Sequence, residues 1–143
     1  MAYEFDVAQV RRLFPESTTL NLGPGEVLFY EGEPGDALYI LLSGSLKIVG
    51  GSTVYETVNP GGMVGEMAIV QEGYPRSASV AAMARSELLR IEPHAFLALV
   101  ARHPDFALNL MRISTRRLRK MNWRHLRSPA HVADVPPEAV SAD

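Results

Sequence analysis

A carboxylate, a guanidinium and a hydroxyl stand close together in the stretch Pro60 to Val80, PGGMVGEMAIVQEGYPRSASV. Arg76 carries a planar fork of N–H donors, the group best suited to hold an anion through two parallel bonds. Glu66 can only accept hydrogen bonds, so its natural partner is a hydroxyl beside that anion rather than the anion itself. Gly65-Glu66-Met67-Ala68 reads as the opening of a short helix. The first amides of a helix have no partner inside it, and they favour negative charge together with the dipole. Gly61 and Gly62 suit a turn before it. Arg76 follows Pro75 at the start of the alternating run Arg76-Ser77-Ala78-Ser79-Val80. A loop closing back on itself would bring the guanidinium to the same anion. Glu66 alone is a common dipole partner, and Arg76 alone is a common surface residue. Together, between glycine turns, they describe a phosphate next to a sugar hydroxyl, which is a nucleotide.

The elements that must position these groups are mostly strands. Val7, Val10 and Leu13-Phe14 are spaced as on a helix over Asp6 to Leu13, which Pro15 stops. From Thr18 the period changes to two. Thr18–Leu22, Val27–Phe29, Ala37–Leu42, Ser45–Val49, Thr53–Val58, Ser77–Ala82 and Glu87–Ile91 read as strands between Gly- and Pro-rich turns, completing about eight in all. That rhythm favours a sandwich, barrel or jelly roll. Pro93 suits the first position of a helix running to Arg102, and Pro104-Asp105 opens a longer one, over about 105–127. On it Ala107, Met111, Ser114, Leu118, Met121 and His125 form a seam, either for a second helix or for the chain's own body. After Arg127 the sequence is rich in Pro and Ala, and 128–143 reads as a disordered tail.

Composition sets the outer limits. With 143 residues, 47% apolar, the chain has room for one substantial core. It has no cysteine, which excludes disulfides, iron–sulfur clusters and a thiol nucleophile. MAYEFDVAQVRR lacks the features of a secretion signal. The apolar runs fall far short of the roughly 20 residues that span a bilayer, so a cytoplasmic protein without membrane contact is expected. Net charge is −2 but unevenly spread: 12 acids against 7 bases over 1–104, then 1 acid against 7 bases over 105–127. The basic segment is a place to look for a partner.

The motif Gly65-Glu66-x-Ala68 followed by Arg76-Ser77-Ala78 resembles the phosphate-binding cassette of the cyclic nucleotide-binding domain family. Pro24 to Gly44 is similar to the family's first sheet motif, and the resemblance covers roughly residues 15–125. It implies a mainly β fold with flanking helices. That fold is an eight-stranded double-stranded β-helix, a jelly-roll-like barrel over about 16–91, with a short N-terminal helix and two C-terminal helices over about 93–127. Residues 1–127 would be the cyclic nucleotide-binding domain. The implied ligand is 3′,5′-cyclic AMP or cyclic GMP, with no metal or other cofactor. Arg76 would pair with the cyclic phosphate, helped by Ser77 and by backbone N–H groups near Met67, Ala68 and Ala78, while Glu66 would take the ribose 2′-hydroxyl. In the family the long helix usually forms a homodimer and closes over the ligand. Met121 and Asn122 stand where one branch of the family has a Thr-Ser adenine contact. Asn122 offers both a donor and an acceptor to a purine, and Trp123 a stacking face. For all three, a solvent or dimer contact remains the alternative.

The expected function is a stand-alone cyclic nucleotide receptor that passes ligand binding through its C-terminal helices to a partner protein. The alternative is the ligand-binding and dimerisation part of a transcription regulator without its DNA-binding domain, since 16 residues cannot form a helix-turn-helix. A third option is a structural dimer that binds no ligand. The basic run Arg116-Arg117-Leu118-Arg119-Lys120 could touch phosphates, but specific nucleic-acid reading is not expected. Catalysis is not expected either. A metal-dependent cupin needs a His and carboxylate cluster inside its barrel, and His94, His103, His125 and His131 all follow the strands. A haem sensor would need an axial His or Cys.

Overall fold

The computed structural model describes residues 5–71 and 73–126, with backbone alone at Val70 and over 121–126. The elements are α1 (Val7–Leu13), β1 (Thr18–Leu22), β2 (Val27–Phe29), β3 (Leu38–Ser43), β4 (Leu46–Gly50), β5 (Thr53–Val58), β6 (Met63–Val64), α2 (Met67–Val70), β7 (Ser79–Ala82), β8 (Ser86–Ile91), α3 (Pro93–Arg102) and α4 (Pro104–Leu126). The tail at 128–143 lies outside the described residues.

The fold is mainly β with helices packed on it, as expected, but the strands do not close into a barrel. They form two antiparallel sheets in the orders β1-β8-β3-β6 and β2-β7-β4-β5. Among the described residues every strand pairs within its own sheet. The edges are β1 and β6 in one sheet and β2 and β5 in the other, with β6 and β2 only two and three residues long. Apart from the β4–β5 hairpin, successive strands alternate between the two sheets in jelly-roll fashion.

Successive side chains of a strand point to opposite faces, and in β3 both faces are covered. Tyr39 and Leu41 join Leu46, Val58, Val64, Val80, Ala82 and Leu88 between the sheets. Leu38, Ile40 and Leu42 face a second cluster with Val10, Phe14, Leu89, Ile91, Phe96, Leu99, Phe106, Leu110 and Ile113. The unbroken apolar run of β3 is therefore a strand buried on both sides. Each such side chain withdrawn from water contributes about 1.5–3 kcal/mol before the cost of ordering it. Phe106 centres the helical layer, stacked on Phe5 at 4.4 Å and edge-on to Phe14 and Phe96.

Local details follow sequence chemistry. Asp6 caps α1 by accepting from the amides of Ala8 and Gln9 at 3.0 and 3.3 Å. Strand β6 was not anticipated: Met63 and Val64 are buried and pair with Ile40 and Tyr39, inside a stretch that reads only as turn and helix. Two residues between glycines are too few for an alternation to show. The strand expected from Ser77 begins at Ser79, leaving Arg76, Ser77 and Ala78 in a loop. Helix α4 turns Phe106, Leu110 and Ile113 inward, so the anticipated seam is split. Met111 and Leu118 stay exposed, at 61% and 59%, while the hydroxyl of Ser114 is buried. The side chains of Met121 and His125 lie outside the described residues.

Candidate ligand site

A cavity of about 450 Å³ lies between α2, the sheet β2-β7-β4-β5 and the overlying α4. That volume is in the range of small-ligand pockets. Gly65, Glu66, Met67, Ala68, Arg76, Ser77 and Ala78 all line it, so the structure brings the central motif together on one wall.

Two loops place Arg76. The Arg76 amide donates to the Glu33 carbonyl at 2.7 Å, Gly32 donates back to the Arg76 carbonyl at 2.8 Å, and Gly35 donates to Tyr74 at 3.1 Å. An isolated bridge between Pro34 and Pro75 completes this seam. It tucks the Arg76 side chain inward, where the residue is only 6% exposed. Nη1 donates to the Gly65 carbonyl at 3.3 Å and Nη2 to the Ala37 carbonyl at 3.1 Å. The Phe29 ring lies beneath, 4.1 Å from the guanidinium carbon. Asp36 approaches Nη2 only to 4.0 Å from an exposed position. Nε is buried with no hydrogen-bond partner among the described residues. Burial lowers the pKa of Arg76, while Tyr39, Asp36, Glu33 and Glu66 pull it back up. The group remains a cation, held in a poorly solvated place with its Nε donor unspent. An anion would relieve both conditions.

Two glycines make room for it. A Cβ on Gly35 would come within 2.9 Å of the guanidinium carbon, and one on Gly65 within 2.6 Å of Nη1. Gly65 also has φ +78°, in the region that other L-residues avoid. The amide of Ala68, anticipated as a free donor, is instead turned back onto the Gly65 carbonyl at 3.1 Å. Helix α2 is one turn long, and its tight start uses that group internally.

Glu66 sits at the cavity wall with its carboxylate engaged. Arg117 of α4 donates Nη1 to Glu66 at 3.1 Å and Nε to Glu56 of β5 at 3.2 Å. All three side chains are largely withdrawn from solvent, at 11 to 13% exposure. Arg117 therefore ties α4 across the cavity mouth to two different elements. Sequence reasoning missed Arg117, Glu56, Phe29 and Ser114 as lining residues. Their signal was available in part, because Ser114, Arg117 and Leu118 share one face of a helix at spacings of three and four. Met121, Asn122 and Trp123 continue α4, but their side chains lie outside the described residues.

Residues 19–103 match the family described as the cyclic nucleotide-binding domain. The chain is 36% identical over 115 residues to a protein named Cyclic AMP receptor protein from Thermus thermophilus, covering 77% of this chain and 49% of the relative. It is 34% identical over 103 residues to a Mycobacterium tuberculosis protein named CRP-like cAMP-activated global transcriptional regulator, covering 68% of this chain and 46% of that one. The chain thus spans about half the length of these two curated relatives. The crystal structure of Thermus thermophilus Catabolite Activator Protein superposes with a TM-score of 0.71 at 32% identity, over 82% of this chain and 57% of the other.

Proposed function

This chain belongs to the cyclic nucleotide-binding domain family, and from that premise we propose that residues 1–127 form a receptor domain for a 3′,5′-cyclic nucleotide. The observation that carries this reading is the buried Arg76, with an unspent donor, lining the same cavity as Glu66. The guanidinium binds the cyclic phosphate, with Ser77 and the backbone near Met67 and Ala78 beside it. Glu66 accepts from the ribose 2′-hydroxyl. The relatives' names make cyclic AMP the first ligand to test and cyclic GMP the second.

The output runs through α4. A ligand shifts a conformational equilibrium only by its differential affinity for the two states. The ribose hydroxyl and Arg117 address the same carboxylate, so occupancy changes how α4 is held. The domain binds rather than catalyses, and it works in the cytoplasm. No described helix is long and apolar enough to cross a membrane. The exposed Met111 and Leu118 support pairing of two copies through helix 105–127, and a downstream protein receives the signal.

A second reading has its own support. Because the chain spans about half of the two CRP-like relatives, it also suits the ligand-binding and dimerisation part of a longer transcription regulator. Both readings make the same demand on the cavity. Calorimetric titration with cyclic AMP, cyclic GMP, 2′-deoxy cyclic AMP and 2′,3′-cyclic AMP tests it. Saturable one-site binding of a 3′,5′-cyclic ribonucleotide, much weakened for the last two compounds, is the expected result. Absence of binding for all four would sink the receptor reading.

A further inference from the structure

Ser114 lines the cavity from the α4 side, three residues before Arg117 on the same helix face. Its Oγ is buried and has no hydrogen-bond partner among the described residues. Serine within a helix ordinarily leaves its hydroxyl in solvent or returns it to the carbonyl four residues earlier. Ser114 does neither. Buried polar groups are nearly always paired, so an unpaired one at a cavity wall calls for a reason.

A bound nucleotide supplies that reason. On the proposed reading, Arg76 and Glu66 take the phosphate and the sugar on the wall built by α2 and the loop before β7. What remains of the ligand is its base, and Ser114 offers the cavity a buried hydroxyl without a partner among the described residues. The base meets a largely apolar surface including Ile48, Val80 and Leu118, which suits its faces. Its edge needs a donor or acceptor. A serine hydroxyl is both, since its proton rotates to suit the partner.

We propose that Ser114 is a base-reading residue, its hydroxyl hydrogen-bonding the exocyclic group at C6 of the purine. This inference rests on the receptor reading and places a specificity contact in the middle of α4, about two turns before Met121, Asn122 and Trp123.

The test compares wild type, Ser114→Ala and Ser114→Thr with three ligands: cyclic AMP, cyclic GMP and the 3′,5′-cyclic nucleotide of unsubstituted purine, which lacks any C6 group. Calorimetry should show Ser114→Ala losing about tenfold in affinity for the preferred natural nucleotide. Its affinity for the unsubstituted purine should stay within about twofold, and Ser114→Thr should keep most of the wild-type value. The ligand-free melting temperature of Ser114→Ala should be unchanged or higher, because an unpaired buried hydroxyl has been removed. If wild type binds but Ser114→Ala binds all three ligands as wild type does, or loses equally for all three, the Ser114 assignment is overturned while the receptor reading stands. If wild type binds none of them, both fall.

Discussion

The guanidinium of Arg117 donates to the Glu66 carboxylate at 3.1 Å, joining α4 to the first turn of α2. Its Nε reaches Glu56 on β5 at the same time. One side chain thus holds the long helix against both sides of the cavity, using the carboxylate assigned to the sugar.

Arg117→Met should lower the melting temperature of the ligand-free protein. A double-mutant cycle with Glu66→Gln should return a coupling of about 0.5–3 kcal/mol, as expected for side chains in direct contact. Thermal unfolding of the two single variants and the double variant measures it. Strict additivity would show that the contact contributes nothing.

Arg76→Ala should weaken cyclic nucleotide binding by at least about a hundredfold, since losing a buried charged partner commonly costs about 3 kcal/mol or more. Arg76→Lys should fail to rescue it, because an ammonium cannot reproduce the planar two-bond contact. Calorimetry reads both, and near-normal affinity for either variant contradicts the assignment.

Gly65→Ala and Gly73→Ala form a matched pair. Both positions have positive φ, +78° and +77°, but a Cβ at Gly73 meets nothing within 4 Å while one at Gly65 strikes Arg76. Each substitution should lose about 1–2 kcal/mol of stability from the backbone conformation. Only Gly65→Ala should also lose ligand affinity. Equal affinities in the pair would mean that Arg76 can sit elsewhere without loss.

Phe29→Leu keeps an apolar side chain beneath Arg76 but removes the aromatic face 4.1 Å from its charge. The contact should contribute about 1 kcal/mol, so the variant should bind about fivefold more weakly. A titration with unchanged affinity would assign Phe29 to packing alone.

Much of this molecule was legible in the residues. Seven of the eight strands were legible: alternation marked those with one buried face, and Gly- and Pro-rich turns bounded β3, whose apolar run is buried on both. Asp6, Pro93 and Pro104 marked helix starts by chemistry that acts locally. The central motif carried its own turn glycines, and all seven of its named residues reached one cavity wall. Strand β6 escaped because Met63 and Val64 are held by pairing with β3 rather than by any pattern of their own. Which strands become open edges depends on long-range pairing, which no local signal encodes. Arg117 and Glu56 escaped for a related reason: they are 61 residues apart, and only the docking of α4 makes them neighbours. The bond from the Ala68 amide to the Gly65 carbonyl escaped because no local pattern marks where a one-turn helix closes on itself.

Arg76 takes its geometry from Phe29, Ala37 and Gly65, and its backbone from Glu33 and Gly32. These partners are scattered through the first half of the chain. An excised peptide spanning 60–80 would carry the whole recognisable motif and yet should bind no cyclic nucleotide, because its cation would hang free in water. On the proposed reading, recognition is a collective property that switches on only when distant segments have closed around one another. Any lesion that loosens the seam between the two loops, however remote from the nucleotide, should therefore be felt first as deafness to the signal rather than as collapse of the protein.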